Sequence, residues 1–514
     1  MPITYTVAVD WDDDGDFSDD GEDITADVLA LRWRLGMAAA HDGVAAPIAA
    51  QITLRNRSRD YSPEDTPIAL LPGKGVRISS HDGTTSRRHF TGFIAHIEPE
   101  PGDQGSRRSL IYAHGPDAQL ASHRIRLPPQ VNVSADAVIE AILDAAPLRR
   151  IALKDTWILD APDHHALGTS TRLAAITIAR TLETGVSTFA YVGDSWGSGI
   201  SAADALQQMV DSERGRFFID REGGARFINR HHTLYKVTSD ATFEDTMAGM
   251  VYRFGGDIVN RVDVRLTPRS IGAAGSVLWT LDSSQRLLPG HGNAREIIAR
   301  YRDADGNPLG ALHVQRPEAQ IDFEANTDAS GSGLDATADV SVRILHATAS
   351  AATLRLRNRR KEPVYLLAGA RLRGTPIQMG DPLIVSETDW ASLAFYGESR
   401  LGFDLPALDA IEHADQVARF ELARRREPRG VATHLTLDAP RHLPHALART
   451  LFDRITVREA QTGHDADYFI VGEAHEVDLG GARHRVTWTL ESASANAFWV
   501  VGAAEIDRTA SLAY

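Results

Sequence analysis

The 514-residue chain contains no cysteine, which excludes disulfides, thiolate metal sites and a cysteine nucleophile and makes its stability independent of redox conditions. It also lacks an excess of base. Lys and Arg number 54 against 69 Asp and Glu, a formal charge of −15, which argues against gripping phosphate backbones by counterion release, so tight nucleic-acid binding is not expected. No stretch approaches the roughly 18 to 20 consecutive apolar residues of a membrane-spanning helix. Met1 to Asp10 has neither the basic start nor the apolar run of a secretion signal, so neither a membrane span nor a cleaved signal is expected. Hydrophobic residues at 43% and charged residues at 24% belong to a globular chain with packed cores, and a chain this long divides into about three or four domains. Such a composition suits a protein made in the cytosol and used elsewhere.

What the chain does have is short alternating runs. Tyr5 to Val9, Ala50 to Leu54, Gly75 to Ser79, Gly92 to Ile97 and Ser109 to Ala113 alternate apolar and polar residues between Gly, Pro and Asp, the pattern of an antiparallel sandwich or barrel. Residues 1–127 are therefore read as a first β domain. Residues 128–240 are read as an α+β domain. Ser134 stands as N-cap before the stripe Val138, Ile139, Ile142 and Leu143, and Ser201 before Ala205, Leu206, Met209 and Val210, with a tight hairpin over 216–228. Residues 241–309 are a connecting β segment expected to continue into the β core, and 310–377 a small inserted β-sandwich. Residues 378–514 form a second β domain with a long helix, in which Ile411, Ala414, Val417, Ala418 and Leu422 share a face. The expected fold class is mainly β with α+β portions, in several domains. One internal likeness stands out: Phe90 to Glu98 and Phe469 to Val477 are Gly-interrupted runs with Ala-His in the middle, each followed by a turn and an alternating run. It reads either as two unrelated hairpins or as one domain duplicated at the two ends of the chain.

Three patterns bear on chemistry. Asp10-Trp-Asp-Asp-Asp-Gly-Asp-Phe17 looks like the first half of a calcium loop, with Asp10, Asp12 and Asp14 supplying carboxylates, Asp16 a backbone carbonyl, and Glu22 reaching in one place later than the usual bidentate Glu. The alternative is a solvated acidic hairpin tip. Gly193-Asp-Ser195-Trp-Gly197 fits the G-x-S-x-G pattern of a nucleophile elbow, but the helix signal starts only at Ser201, so a strand-to-helix loop is the better account and no catalytic residue is assigned. The pairs His164-His165 and His231-His232 are adjacent residues, a spacing that rarely chelates one metal. Asp409, Glu412 and Asp415, with Arg419 one turn on, read as a charged outer helix face. No enzyme and no required cofactor is expected; calcium is the one candidate ligand.

In order along the chain, Val9-Asp-Trp-Asp-Asp-Asp-Gly-Asp-Phe17, Glu22-Asp-Ile-Thr-Ala-Asp-Val28, Leu54-Arg-Asn-Arg-Ser-Arg-Asp-Tyr-Ser-Pro63, Leu71-Pro-Gly-Lys-Gly-Val-Arg-Ile78, Phe90-Thr-Gly-Phe-Ile94, the helix and hairpin from Ser201 to Arg230, Asn260-Arg-Val-Asp-Val264, Leu372-Arg-Gly-Thr-Pro-Ile377 and Tyr396-Gly-Glu-Ser-Arg400 resemble the minor tail proteins of siphophages and prophages, a tail-tip family similar to baseplate hubs. The resemblance spreads over nearly the whole chain and implies two hub-type β-barrels at its ends, 1–127 and 378–514. It implies a homotrimer whose six barrels ring the tail axis, join the tail tube to the tip and let DNA pass. It also implies the distal tail or tail tube protein, the tape measure protein and a tail fibre or receptor-binding protein as partners, and a place at the virion tail tip after assembly in the host cytoplasm. Relatives carry further C-terminal domains, so lytic or receptor-binding work is expected of a partner. The channel wall is expected to be neutral to acidic, with Arg424, Arg425 and Arg426 turned toward subunit contacts or solvent. The competing reading is a calcium-dependent cell-surface carbohydrate binder using 310–377, against which stands a segment with Tyr365 as its clearest aromatic and no Trp.

Overall fold

In the computed structural model, residues 3–64, 70–102, 105–148, 178–196, 199–290, 292–438, 441–478, 483–493, 498–499 and 511–512 are described; His164, His165 and Gly197 lie outside them. The alternating runs form strands: β1 (Thr4–Asp10), β2 (Val28–Gly36), β3 (Ala49–Arg55), β4 (Gly75–His81), β5 (Ser86–Glu100) and β6 (Arg108–His114). In β3, Ala50, Ile52 and Leu54 are buried while Gln51 and Thr53 hold the other face, as a period of two requires. The six strands pair in the order β1-β4-β5-β6-β3-β2.

Helices α1 (Ala135–Ala145) and α2 (Ala202–Glu213) follow, then a hairpin of β7 (Arg216–Ile219) and β8 (Ala225–Ile228). Both predicted stripes are buried. Ser201 caps α2, its hydroxyl accepting the Asp204 N–H at 3.0 Å, whereas Ser134 precedes α1 without a side-chain cap bond. The two helices share one continuous hydrophobic core with β1 to β6, so residues 128–240 do not have a core of their own.

The C-terminal unit is assembled from distant pieces. It contains β9 (Ala241–Phe243), β10 (Gly249–Phe254), and then, after β11 (Arg261–Leu266), β12 (Leu383–Thr388), α3 (Trp390–Tyr396), β13 (Arg400–Asp404) and α4 (Ile411–Arg425), the strands β14 (Gly430–Asp438), β15 (Arg454–Glu459), β16 (His464–Asp478) and β17 (Arg483–Ser492). Its pairing order is β9-β15-β16-β17-β14-β10. Taken in chain order, the six strands of each unit occupy the same positions; the one difference is that β9 runs parallel to β15 where β1 is antiparallel to β4. The C-terminal unit thus begins at Ala241 rather than at 378, interrupted between β10 and β14 by residues 255–429. Strands β11 and β12 pair from Arg261↔Thr388 to Leu266↔Leu383 and carry the insert. That insert packs around Leu278, Leu287, Tyr301, Leu354 and Leu372, so its strands start at Arg269 rather than 310.

The repeated hairpins also align differently from their letters. Phe93 is where β5 passes from β4 to β6, facing both Gly75 and His114. Phe469 is where β16 passes from β15 to β17, facing Arg454 and Glu491. Bulges follow at once, between Ile94 and His96 and between Ile470 and Gly472. The structural match is therefore Phe93 with Phe469, not Phe90 with Phe469, and the two Ala-His pairs are not equivalent. His96 is exposed and His475 buried, because a bulge and the change of pairing partner set register in a strand, and residue identity does not.

Candidate functional site

The two units meet in a single antiparallel seam. Strand β2 pairs with the second half of β16 from Ala30↔Asp478 to Gly36↔Gly472, so β5-β6-β3-β2-β16-β17-β14-β10 form one continuous sheet. The seam closes tightly at its glycines. A Cβ on Gly36, which has φ +85°, would lie 2.5 Å from the Val471 carbonyl oxygen, and one on Gly472 would lie 2.2 Å from that of Met37, so only glycine permits this approach.

One face of the sheet is polar across both units. His96, Tyr112, Gln51, Arg32, Glu476, Arg485 and Asp438 stand in one row. Arg32 lies 3.6 Å from Glu476, and Arg485 lies 3.0 Å from Asp438. From β2 to β14 base and acid alternate strand by strand in this row, as Arg32, Glu476, Arg485 and Asp438.

The opposite face of the seam is buried and ionisable. Trp33 of β2 stacks on His475 of β16 with ring centres 4.6 Å apart. The Tyr5 hydroxyl lies 2.8 Å from His484 Nδ1, and His484 Nε2 lies 2.9 Å from His475 Nδ1. His89 of β5 pairs with the Ser80 hydroxyl at 2.7 Å. Into this cluster reaches Arg221, at the tip of the β7–β8 hairpin, with two guanidinium bonds to Glu473 at 2.7 and 2.6 Å and further bonds to the Leu447 and Arg449 carbonyls. The same turn holds the N-terminal unit, since Thr91 donates to the Arg221 carbonyl and Arg88 pairs with Glu222. Burial alone would raise the Glu473 carboxyl, but Arg221 and His475 outweigh it and hold it below the usual carboxylate range. Burial pushes His89 and His475 down and His484 down to about 3, with like-charge neighbours adding to the effect on His484. Of the adjacent pair His231-His232, His232 lies with Nδ1 2.6 Å from the Glu183 carboxylate.

The acidic loop joins β1 to a return stretch in which the Val9 N–H donates to the Glu22 carbonyl and the Ile24 N–H to Val7. Gly15, φ +79°, makes the sharp turn. The Asp10 carboxylate accepts from the Asp14 and Gly15 N–H groups at 3.0 and 2.9 Å, and Glu22 from those of Trp11 and Asp19 at 3.2 Å. Carboxylate oxygens of Asp10, Asp12 and Glu22 lie within 4.8 Å of one another, as do those of Asp12, Asp14 and Asp19. Asp16, expected to offer only its backbone carbonyl, turns its carboxylate to Ser18 and the Phe17 N–H, which lowers its pKa. Asp19 was not among the expected ligands; its signal was present only as one more acid in a crowded stretch. Burial raises Asp10 and Glu22, and neighbouring acids add to it, against the lowering by their backbone bonds.

The described part of the G-x-S-x-G segment, Gly193 to Trp196, is a turn closed by the Trp196 N–H donating to the Gly193 carbonyl at 3.1 Å. Ser195 is exposed, α2 begins only at Ala202, and no histidine bonds Ser195 among the described residues. Its neighbour Asp194 is buried against Arg269 at 2.8 Å, while Arg269 also bonds the Thr267 and Pro406 carbonyls, so this turn anchors the stem of the insert. Arg424 and Arg425 correct an expectation. They face the interior, where Glu421 pairs with Arg214 at 2.7 Å and Arg425 at 3.1 Å, and Glu491 with Arg216 and Arg424 at 3.4 Å. The cause is helical spacing: Glu421 and Arg425 continue the buried face of Ala414, Val417 and Ala418. Arg426 alone is exposed. Arg419 does reach Asp415, at 3.1 Å, on the outer face as expected.

No family model matches the sequence, and no curated protein does. Among solved structures, a tail protein from Neisseria meningitidis is similar over 96% of this chain and 99% of that chain, at 9% identity and a TM-score of 0.49. The 43 kDa tail protein of prophage MuSo2 from Shewanella oneidensis is similar over 96% and 99%, at 10% identity and 0.49. The prophage tail protein gp18 from Listeria monocytogenes is similar over 95% of both chains, at 8% identity and 0.41.

Two outcomes are expected. Ser195→Ala leaves stability unchanged, whereas Asp194→Ala, which strands a buried guanidinium, costs about 3 to 5 kcal/mol in denaturant unfolding. The neutral buried histidines stabilise the fold above their ordinary pKa of about 6.5, and this contribution is lost as pH falls below that value toward their depressed folded pKa. At pH 4 the loss is about 3 kcal/mol for a group such as His484. Thermal unfolding across pH 7 to 4 checks this, with a shallower slope expected for His484→Gln.

Proposed function

We propose that the chain is a structural, non-catalytic component of a phage-type tail tip, a baseplate-hub-like protein forming a homotrimeric ring that joins tail tube to tip and lets DNA pass. The observation that carries this is the repeated strand order, with its two units fused edge to edge through β2 and β16. Two like units in each of three chains present six like positions around one axis, the symmetry match a hub requires, and a head-to-tail contact that closes after three copies gives a ring instead of a filament. Each unit acts as a hub-type barrel, and the polar sheet face lines the passage. Alternating Arg32, Glu476, Arg485 and Asp438 offers a passing polyanion no net pull. Partners are the distal tail or tube protein, the tape measure protein and a fibre or receptor-binding protein, and the site of action is the virion tail tip.

Calcium is the cation proposed for Asp10, Asp12 and Glu22, with Asp14 and Asp19 beside them and the Asp16 carbonyl available. The fit rests on carboxylates brought close around a glycine turn, with Asp10 and Glu22 disfavoured as anions by burial. A bound cation would reverse that penalty and brace the loop against β1.

Native mass measurement and two-dimensional class averages are expected to show three copies in a ring; single copies persisting in the presence of the neighbouring tail proteins would overturn the reading. Calcium at 100 times its dissociation constant should stabilise the protein by about 2.7 kcal/mol, seen as a raised melting temperature that chelator reverses. Asp10→Asn should abolish that response while leaving the metal-free protein as stable or more so, and a melting temperature indifferent to calcium would favour the solvated loop.

A further inference from the structure

The internal seam leaves its own pattern unfinished. In the N-terminal unit, the edge strand β2 is covered by β16 of the C-terminal unit. The strand in the position of β2 in the C-terminal unit is β10, which among the described residues pairs only with β14. The strand in the position of β16 in the N-terminal unit is β5, and its stretch from Ala95 to Glu100 pairs, among the described residues, only with β6. Among the described residues, one chain therefore ends in two open edges that correspond to the two sides of a junction it already makes once.

We infer that β10 of one copy pairs antiparallel with Ala95–Glu100 of β5 in a second copy, repeating the β2–β16 seam between chains. This rests on the ring reading and adds its contact. The ladders fix the register. Leu31 and Arg32 face Ile52 and Gln51 as Met250 and Val251 face Leu435 and His434, and these partners hold matching places in their sheets. The bulges equate Ile470 with Ile94, so Ala474 and Glu476 correspond to Glu98 and Glu100. Arg32 faces Glu476 and Arg34 faces Ala474 within the chain. Counted along β10, Val251 then faces Glu100, Arg253 faces Glu98 and Phe254 faces Ile97.

The side chains fit that pairing. Arg253 meets an acid on the polar face, as Arg32 meets Glu476 in the internal seam. Phe254 and Val251, 69% and 46% exposed in the single chain, gain cover. Glu98, Pro99 and Glu100 are the residue types that guard an open edge against indiscriminate pairing, and a partner carrying Arg253 answers the charge. Pro99 has no N–H to give, which shortens the ladder by one bond at most.

The absence of cysteine makes the test direct. Residues facing each other in an antiparallel pair have Cα atoms about 4.5 to 5.5 Å apart, within the range a disulfide spans. The double variant Glu98→Cys with Arg253→Cys, oxidised in the assembled state, is expected to give a covalent product of three chains. In parallel, Glu98→Arg or Arg253→Glu alone should reduce the three-copy mass of the otherwise uncrosslinked protein, and the two reversals combined should restore it. A wild type of three-copy mass with no covalent product would overturn the edge pairing and leave the ring standing. A wild type that stays a single copy, again with no product, would overturn both, and a product that stops at two chains would overturn closure of the edges into a ring.

Discussion

The pairing of β2 with β16 is the constraint on which the rest of the molecule depends. It converts two six-strand units, joined here by strands more than four hundred residues apart in sequence, from Ala30↔Asp478 to Gly36↔Gly472, into one sheet with a single polar face. Strand pairing alone would leave the inner side of that junction poorly filled, and the chain fills it with Trp33, three histidines and the Arg221–Glu473 pair. A buried charge pair contributes little net stability in general, but it is demanding about geometry. Glu473 is satisfied only if the β7–β8 hairpin sits between the units, so the ion pair specifies how three parts of the chain are placed.

The same logic recurs at the other joints. Asp194 and Arg269 fix the insert to the helical region, and Glu421 and Glu491 gather Arg214, Arg216, Arg424 and Arg425 where α4 crosses the hairpin and the C-terminal unit. Hydrophobic cores hold each part together, while buried, fully directional ion pairs set the parts against one another. This suits a component that must present edges and faces to neighbours in a defined orientation, because apolar surfaces slide more readily than forked guanidinium bonds.

Much of the local structure was legible. The alternation of Ala50 to Leu54 marked a strand with one buried face, and the stripes Val138 to Leu143 and Ala205 to Val210 marked buried helices, because these periods follow directly from backbone geometry. The acidic loop was legible as a loop, and Asp10, Asp12 and Glu22 do converge. Spacing alone did not reveal that the Asp16 carboxylate turns to Ser18, two residues on, a local side-chain bond that competes with any other use of that group. The duplicated hairpin was visible, but its register was three residues off, since Phe93 and Phe469 are equivalent through their bulges and not through shared letters.

The sequence by itself determined the strands, the helices, the absence of any thiol chemistry and the presence of two like hairpins, all of which depend on near neighbours in the chain. Only the tertiary structure decided that the C-terminal unit starts at Ala241, that Arg424 and Arg425 turn inward, and that Arg221 reaches Glu473. These depend on groups far apart in the chain, such as Arg221 and Glu473 or Arg214 and Glu421. For such pairs the gain comes from removing two charges from water at one shared place, and no local pattern of residues carries the coordinates of that place.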